Sequence, residues 1–197
     1  MYKKSAVFLA AGIACAAGHV QAADWSDTFI GYRYGEHFHE PNNTKDITKN
    51  ILQLGHVSGY AFGQNFVNLD ILQSDDNDPA QGGGTGATEF YLTYRHQLQF
   101  GKAFNKDLSV GPVKDVALTA GFDLNTKNTA VAPRKRLLVI GPTFKFDVPG
   151  FLDVSLLAAK ESNHNALGRE TKNISFDPQL MLSVSWGIPF QAGPVPM

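Results

Sequence analysis

The stretch ATEFYLTYRHQLQF, residues 87–100, sorts its side chains by parity. Phe90, Leu92, Tyr94, Leu98 and Phe100 fall on one side, and Glu89, Tyr91, Thr93, Arg95, Gln97 and Gln99 on the other. Successive side chains of a β-strand point to opposite faces, so the segment predicts a strand with one apolar-aromatic face and one polar, partly charged face. It is longer than an ordinary strand of a soluble domain and matches a strand crossing a bilayer at a tilt. Such a strand needs water against Arg95, which is the pattern of a transmembrane β-barrel with lipid outside and a polar lumen. A half-buried strand of a soluble sandwich or small barrel alternates in the same way, with its apolar parity turned into a core.

The start of the chain favours export. Lys3 and Lys4 precede an apolar run too short to span a bilayer as a helix, and Val20-Gln21-Ala22 supplies a small-residue cleavage site. Residues 1–22 are therefore expected to be a secretory signal peptide, with residues 23–197 forming one outer-membrane β-barrel domain. Cys15 would suggest a lipoprotein signal, but the usual leucine three residues earlier is missing. Cleavage removes the only cysteine, so disulfides cannot stabilise the mature chain. It also removes two lysines, leaving 15 basic and 18 acidic side chains, a net charge of −3. That balance argues against nucleic acid as a partner. After residue 22 no run approaches the roughly 20 apolar residues of a membrane helix, whereas a barrel hides its membrane character in alternation.

The same alternation predicts strands over 25–35, 51–62, 66–75, 87–100, 113–125, 137–148, 151–161 and 174–190. The connections read as a long loop over 36–50, a tight Gly63-Gln64-Asn65 turn, a long acidic and glycine-rich loop, a middling link after Gly101, a basic loop, a Pro149-Gly150 turn and a long loop over 162–173. Short turns on one rim and long loops on the other are what outer-membrane barrels show. Phe62, Phe66, Phe100, Phe104, Phe146, Phe151, Trp186 and Phe190 would form an aromatic girdle at the short-turn rim, and Tyr34, Phe90, Phe122 and Phe176 lie towards the other. His56 and His96 fit less well, because both fall on the apolar parity. Pro142 and Pro178 each remove a ladder donor inside an expected strand.

The segments DTFIGYRYG, FVNLDILQSD, ATEFYLTYRHQLQF and LSVGPVKD resemble the nucleoside-specific channel-forming outer-membrane porins, the Tsx-like family. The resemblance implies an all-β, antiparallel up-and-down transmembrane barrel of roughly twelve strands, monomeric and permeable to nucleosides, whose loops can serve phages or colicins as receptors. About eight strands are legible here, and the chain stops at QAGPVPM rather than on a final aromatic strand. The expectation is a C-terminally truncated member.

The polar parity defines the expected lumen: Arg33, Asn68, Asp70, Glu89, Tyr91, Arg95, Gln97, Asp123, Lys145, Asp147 and Asp177 as solute-contact candidates, with Thr93, Asp153, Glu161 and Gln179 beside them. Mixed charge with hydrogen-bonding groups suits small polar neutral solutes, and Tyr91 offers a ring to a base or sugar face. The expected partners are outer-membrane lipid and such solutes, with no cofactor. A catalytic reading rests on Ser162-Asn163-His164 or on His37 and His39, which lie in expected loops without triad spacing. Glu36, His37, His39 and Glu40 alternate as metal ligands might, yet read as polar loop residues. GGGTG at 82–86 is followed by neither a lysine-serine pair nor a helix, so it is not a phosphate loop. The expected function is therefore passive diffusion of nucleosides or similar solutes through the outer membrane. The alternatives are a receptor or structural barrel and an outer-membrane lipid-modifying enzyme.

Overall fold

The computed structural model describes residues 23–41, 43–83, 85–164, 173–189, 191–192 and 195–196. The expected signal peptide, Cys15, Phe190 and most of the 162–173 loop lie outside them. The described chain is an antiparallel, up-and-down sheet of nine strands with a single short helix. Its strands are β1 (Trp25–Glu40), β2 (Asn43–Tyr60), β3 (Gly63–Ser74), β4 (Thr88–Gln99), β5 (Val113–Lys127), β6 (Arg136–Phe146), β7 (Phe151–His164), β8 (Asn173–Ser175) and β9 (Gln179–Gly187). Helix α1 (Phe100–Phe104) lies between β4 and β5. Each strand pairs with the next as far as β8, and β9 also pairs with β7. Thus β1 forms one free edge among the described residues and β8 with β9, both paired to β7, the other, and the sheet is not closed. Residues 191–192 pair with 195–196 in a separate two-stranded ladder, where sequence alone suggests a turn.

The parity rule governs which face each side chain takes. Ile30, Leu138, Leu180, Leu182 and Trp186 are exposed, with Leu180 at 76% of its accessible surface, whereas Thr119, Asp123, Thr143, Lys145, Asp153 and Ser155 are buried, with Thr143 at 0%. Polar side chains inside and apolar ones outside invert the usual arrangement of a water-soluble domain. Some apolar residues are buried as well: Ile47, Ile51 and Ala117 singly, and Leu137, Val139, Leu157 and Ala159 as a cluster against Met181. Strand β6 is apolar on both parities along Leu137-Leu138-Val139-Ile140, which masks this cluster in the alternation.

The inner face is concave. In a flat sheet β1 and β5 would stand about 19 Å apart, at four strand spacings. Their side chains nevertheless meet, Lys127 Nζ donating to Glu40 Oε1 at 2.6 Å. Gln97 of β4 likewise reaches Asp153 of β7 at 3.2 Å. The sheet is therefore curled enough for side chains three and four strands apart to touch across its concave face.

Several connections differ from expectation. Residues 36–50 form no long loop; β1 runs to Glu40 and β2 begins at Asn43. The register slips between Gly35 and Phe38 and again before Glu40, and His37 takes φ 66° at the first slip. That bulge lets polar residues continue a ladder beyond the end of β3. The tight turn is Ala61-Phe62, and Gly63 already belongs to β3. The link 100–112 is as long as the 75–87 loop on the other rim, so the connections do not sort cleanly by length. The expected strand over 174–190 is split into β8 and β9, with Pro178 in the break. Pro142 stays inside β6, but the β6–β7 register passes from Ile140↔Ala158 to Thr143↔Ser155, so Gly141 and Pro142 go unpaired on that side.

Glycine opens space for aromatic rings at the β1 edge. Phe29 lies opposite Gly55 and Trp25 opposite Gly59. A Cβ on Gly55 would fall 2.0 Å from the Phe29 ring, so the ring rests directly on the neighbouring backbone.

Candidate functional site

The concave face carries three layers of polar contacts. The layer nearest the 75–87 loop is built by the end of the β1–β2 hairpin. Lys49 donates to Glu40 at 3.0 Å and to Glu89 at 3.4 Å, and Lys127 pairs with Glu40 at 2.6 Å and Asp78 at 2.7 Å. Ser74 Oγ donates to Asp78 at 2.7 Å, and Asn125 donates to Glu89 at 2.5 Å. Asp78 comes from the 75–87 loop, whose Asp75 accepts from the Thr48 N–H at 3.0 Å and whose Asn77 donates to the Asp46 carbonyl at 2.8 Å. The loop is thus folded in along β2. Burial works to raise the Glu40 carboxyl, but the ammoniums of Lys127 and Lys49 outweigh it and hold Glu40 below the usual carboxylate range.

In the middle layer Arg95 is pinned to its own wall. Its guanidinium donates to Asp123 Oδ1 at 2.7 Å and to the carbonyls of Tyr94 and Phe122 at 2.8 and 3.1 Å. Tyr91 donates to the other Asp123 oxygen at 3.1 Å and accepts from Lys135 at 3.3 Å. Burial would lower the Lys135 ammonium, but the Tyr91 hydroxyl and the Glu161 and Asp123 carboxylates raise it overall. Arg33 pairs with Asp70 at 2.7 Å, and Gln53 donates to Asn68 at 2.7 Å.

The third layer lies towards α1. Lys145 Nζ donates to Asp153 Oδ2 at 2.6 Å and to Gln97 at 3.2 Å, and Gln64 donates to Gln97 at 2.9 Å. The Thr119, Thr143 and Ser155 hydroxyls form a ladder across β5, β6 and β7 at 2.5 and 2.7 Å. Asp153 Oδ1 is buried without a hydrogen-bond partner among the described residues.

Cavities open at both ends of this face. One of about 610 Å³ is lined by Glu40, Asp78, Lys127, Pro133 and Asn163. The other, of about 500 Å³, is lined by Gln99, Lys102, Lys106, Asp115 and Lys145.

Of the expected lumen residues, Arg33, Asn68, Asp70, Glu89, Tyr91, Arg95, Gln97, Asp123 and Lys145 all join these layers. Asp147 and Asp177 do not: Asp147 is exposed in the turn after β6, and Asp177 is exposed in the break between β8 and β9. Both were placed by running the parity past the end of a strand. Glu40, Lys49, Asp78, Lys127 and Lys135 are members that sequence reasoning missed. Lys127 continues the parity of Asp123 and Asn125 by one step, and Lys49 that of Ile51 and Gln53, so the signal was present at the strand ends.

The other constellations resolve into local contacts. Asp46 takes His37 at 3.0 Å and His39 at 3.6 Å, while Glu40 is held by the two lysines. His164 contacts Asn173 at 2.9 Å, and Asn163 accepts from the Arg134 N–H at 3.1 Å. Among the described residues no group of three or more His, Cys, Asp or Glu could hold a metal ion. His56 and His96 stay on the outer parity with partners of their own. His56 contacts Thr28 at 2.8 Å, and His96 contacts Tyr60 and Asn65 at 2.8 Å each. Comparison of the chain with protein-family models, with curated proteins and with solved structures finds no match.

Proposed function

We infer that this chain is an outer-membrane barrel protein whose polar interior passes small neutral polar solutes by diffusion. The observation that carries the reading is the inverted arrangement, with an exposed apolar face and a buried polar one. A lipid exterior and a watery interior would satisfy both faces. Neutral solutes are favoured by the charge balance of the interior. Its six cations, Arg33, Lys49, Arg95, Lys127, Lys135 and Lys145, are each paired with a carboxylate, and the seven carboxylates leave a net charge of −1. Nucleosides are the class suggested by the likeness of FVNLDILQSD and ATEFYLTYRHQLQF to nucleoside-channel sequences.

The test is solute flux into vesicles holding the refolded chain, comparing nucleosides, sugars of similar size and nucleotides. Faster entry of nucleosides than of sugars, with nucleotides excluded, supports the reading. A second reading, a receptor or structural barrel without useful flux, draws on the contacts that cross the interior from β1 to β5 and from β4 to β7. A folded, vesicle-inserted chain that admits none of the three solutes would replace the first reading with the second.

A further inference from the structure

Residues 100–112 are far longer than a hairpin between β4 and β5 requires, since such loops commonly need two to five residues. The extra length builds one wall of the cavity of about 500 Å³ at this rim. Lys102 and Lys106 reach its lining from the link, Lys114 and Asp115 from β5, and Gln99 and Lys145 from the ends of β4 and β6. Phe100 and Phe104 stack on one another with ring centroids 5.8 Å apart and stay out of that lining. Helix α1 therefore turns its lysine, not its rings, to the mouth of the concave polar face.

The lining carries four ammoniums, those of Lys102, Lys106, Lys114 and Lys145, against two carboxylates, those of Asp107 and Asp115. Lys145 already holds Asp153 at 2.6 Å. The other three lysines are exposed and form no ion pair among the described residues, unlike Lys49, Lys127 and Lys135. The two carboxylates are engaged with backbone instead. Asp115 accepts from the Gly101 and Val116 N–H groups at 3.0 and 2.8 Å, and Asp107 from the Ser109 N–H at 2.9 Å. Gln99 adds a second, independent feature: it is only 5% exposed and lines the cavity, yet its side-chain amide has no hydrogen-bond partner among the described residues. Buried amides are ordinarily satisfied, so one left open beside a cavity points to a group that enters it.

We propose that this cavity binds the phosphate monoester of a small polar solute. The phosphate dianion sits against Lys102, Lys106 and Lys114, and the Gln99 amide offers both a donor and an acceptor to hydroxyls on the organic part. Inorganic phosphate would account for the lysines but leaves the Gln99 amide without a partner. The site does not depend on the diffusion reading above; under that reading it holds charged solutes at the mouth of a path open to neutral ones.

The test is calorimetric titration of the refolded full chain, at low salt, with glucose 6-phosphate, glucose and inorganic phosphate. Glucose 6-phosphate is expected to bind about tenfold more tightly than either of the other two. The Lys102→Gln, Lys106→Gln, Lys114→Gln chain should lose about tenfold or more of that affinity, and arginine at the three positions should retain it. Gln99→Leu should bring glucose 6-phosphate down to the level of inorganic phosphate while leaving phosphate binding unchanged. Far-UV circular dichroism serves as the folding control; if the triple glutamine chain fails it, the pairwise glutamine variants are read in its place. Equal affinities for glucose 6-phosphate and inorganic phosphate would overturn the proposal, as would undiminished binding by the glutamine chain or no binding by the wild type. A sugar phosphate is the probe so that failure of nucleoside passage and failure of this site are read separately.

Discussion

Lys127 Nζ, at the end of β5, lies 2.6 Å from Glu40 Oε1, at the end of β1, although three strands separate the two in the sheet. Lys127 is nearly fully buried and also holds Asp78 at 2.7 Å, so one ammonium joins the β1 edge, the fifth strand and the 75–87 loop. Replacing Lys127 by Met strands the buried Asp78 carboxylate and should cost about 3–5 kcal/mol in a reversible unfolding measurement. Glu40→Gln should cost only about 1 kcal/mol, because that side chain keeps partial solvent access and Lys127 retains Asp78. Equal losses for the two variants would show that Lys127 does not organise the cluster.

The same cluster sets an acid limit. Glu40 is held below the usual carboxylate range in the folded chain, so its contribution is fully present above the unfolded glutamate pKa of about 4.3 and is lost as pH falls through the lower, folded value. Stability measured from neutral to acid pH should fall across that window, and the Glu40→Gln chain should show a shallower fall. A fall of unchanged steepness in the variant would assign the acid limit to other carboxylates.

His96 poses a different question, since it lies on the outer parity where an unpaired polar ring would be costly. Asn65 Oδ1 accepts from Tyr94 at 3.0 Å and contacts His96 Nδ1 at 2.8 Å, while His96 Nε2 faces the Tyr60 hydroxyl at 2.8 Å. With the proton on Nδ1, the neutral ring donates to Asn65 and accepts from Tyr60, so every polar atom of the imidazole is satisfied. His96→Leu should cost about 1–3 kcal/mol of folding free energy by orphaning the Tyr60 hydroxyl, while Asn65 keeps the Tyr94 hydroxyl. Adding Tyr60→Phe should recover most of that loss. Additive losses across the two substitutions would mean that the contacts are independent.

These contacts explain which features were legible in the sequence. Parity alone located both faces of β4 and placed Arg95, Asp123 and Lys145 inside, because period-2 alternation is a local property of the chain. The β1–β2 extension was not legible: His37, His39, Asn43 and Lys45 have loop composition, and only pairing with each other and with the 75–78 segment holds them in a ladder. Glu40 and Lys127 could not be matched from sequence either, since their meeting depends on the curl of the whole sheet. Pro178 marked a real interruption of the last expected strand, whereas Pro142 was accommodated by giving up pairing on one side of β6.

Arg95 provides the sharpest test of the interior as a solute path. Its guanidinium is the only cation paired with Asp123 in the middle layer among the described residues, and Asp123 is buried. Arg95→Gln should therefore leave a net negative wall where the wild-type pair is neutral. Cation permeability relative to anion permeability should rise roughly twofold to tenfold in planar bilayers, because an unpaired charge acts strongly in a narrow, poorly screened interior. Adding Asp123→Asn should return the ratio to its wild-type value by removing the surplus charge. An unchanged ratio in a stably folded Arg95→Gln chain would mean that permeating ions do not pass this layer, and with it would go the placement of a diffusing solute between β4 and β5.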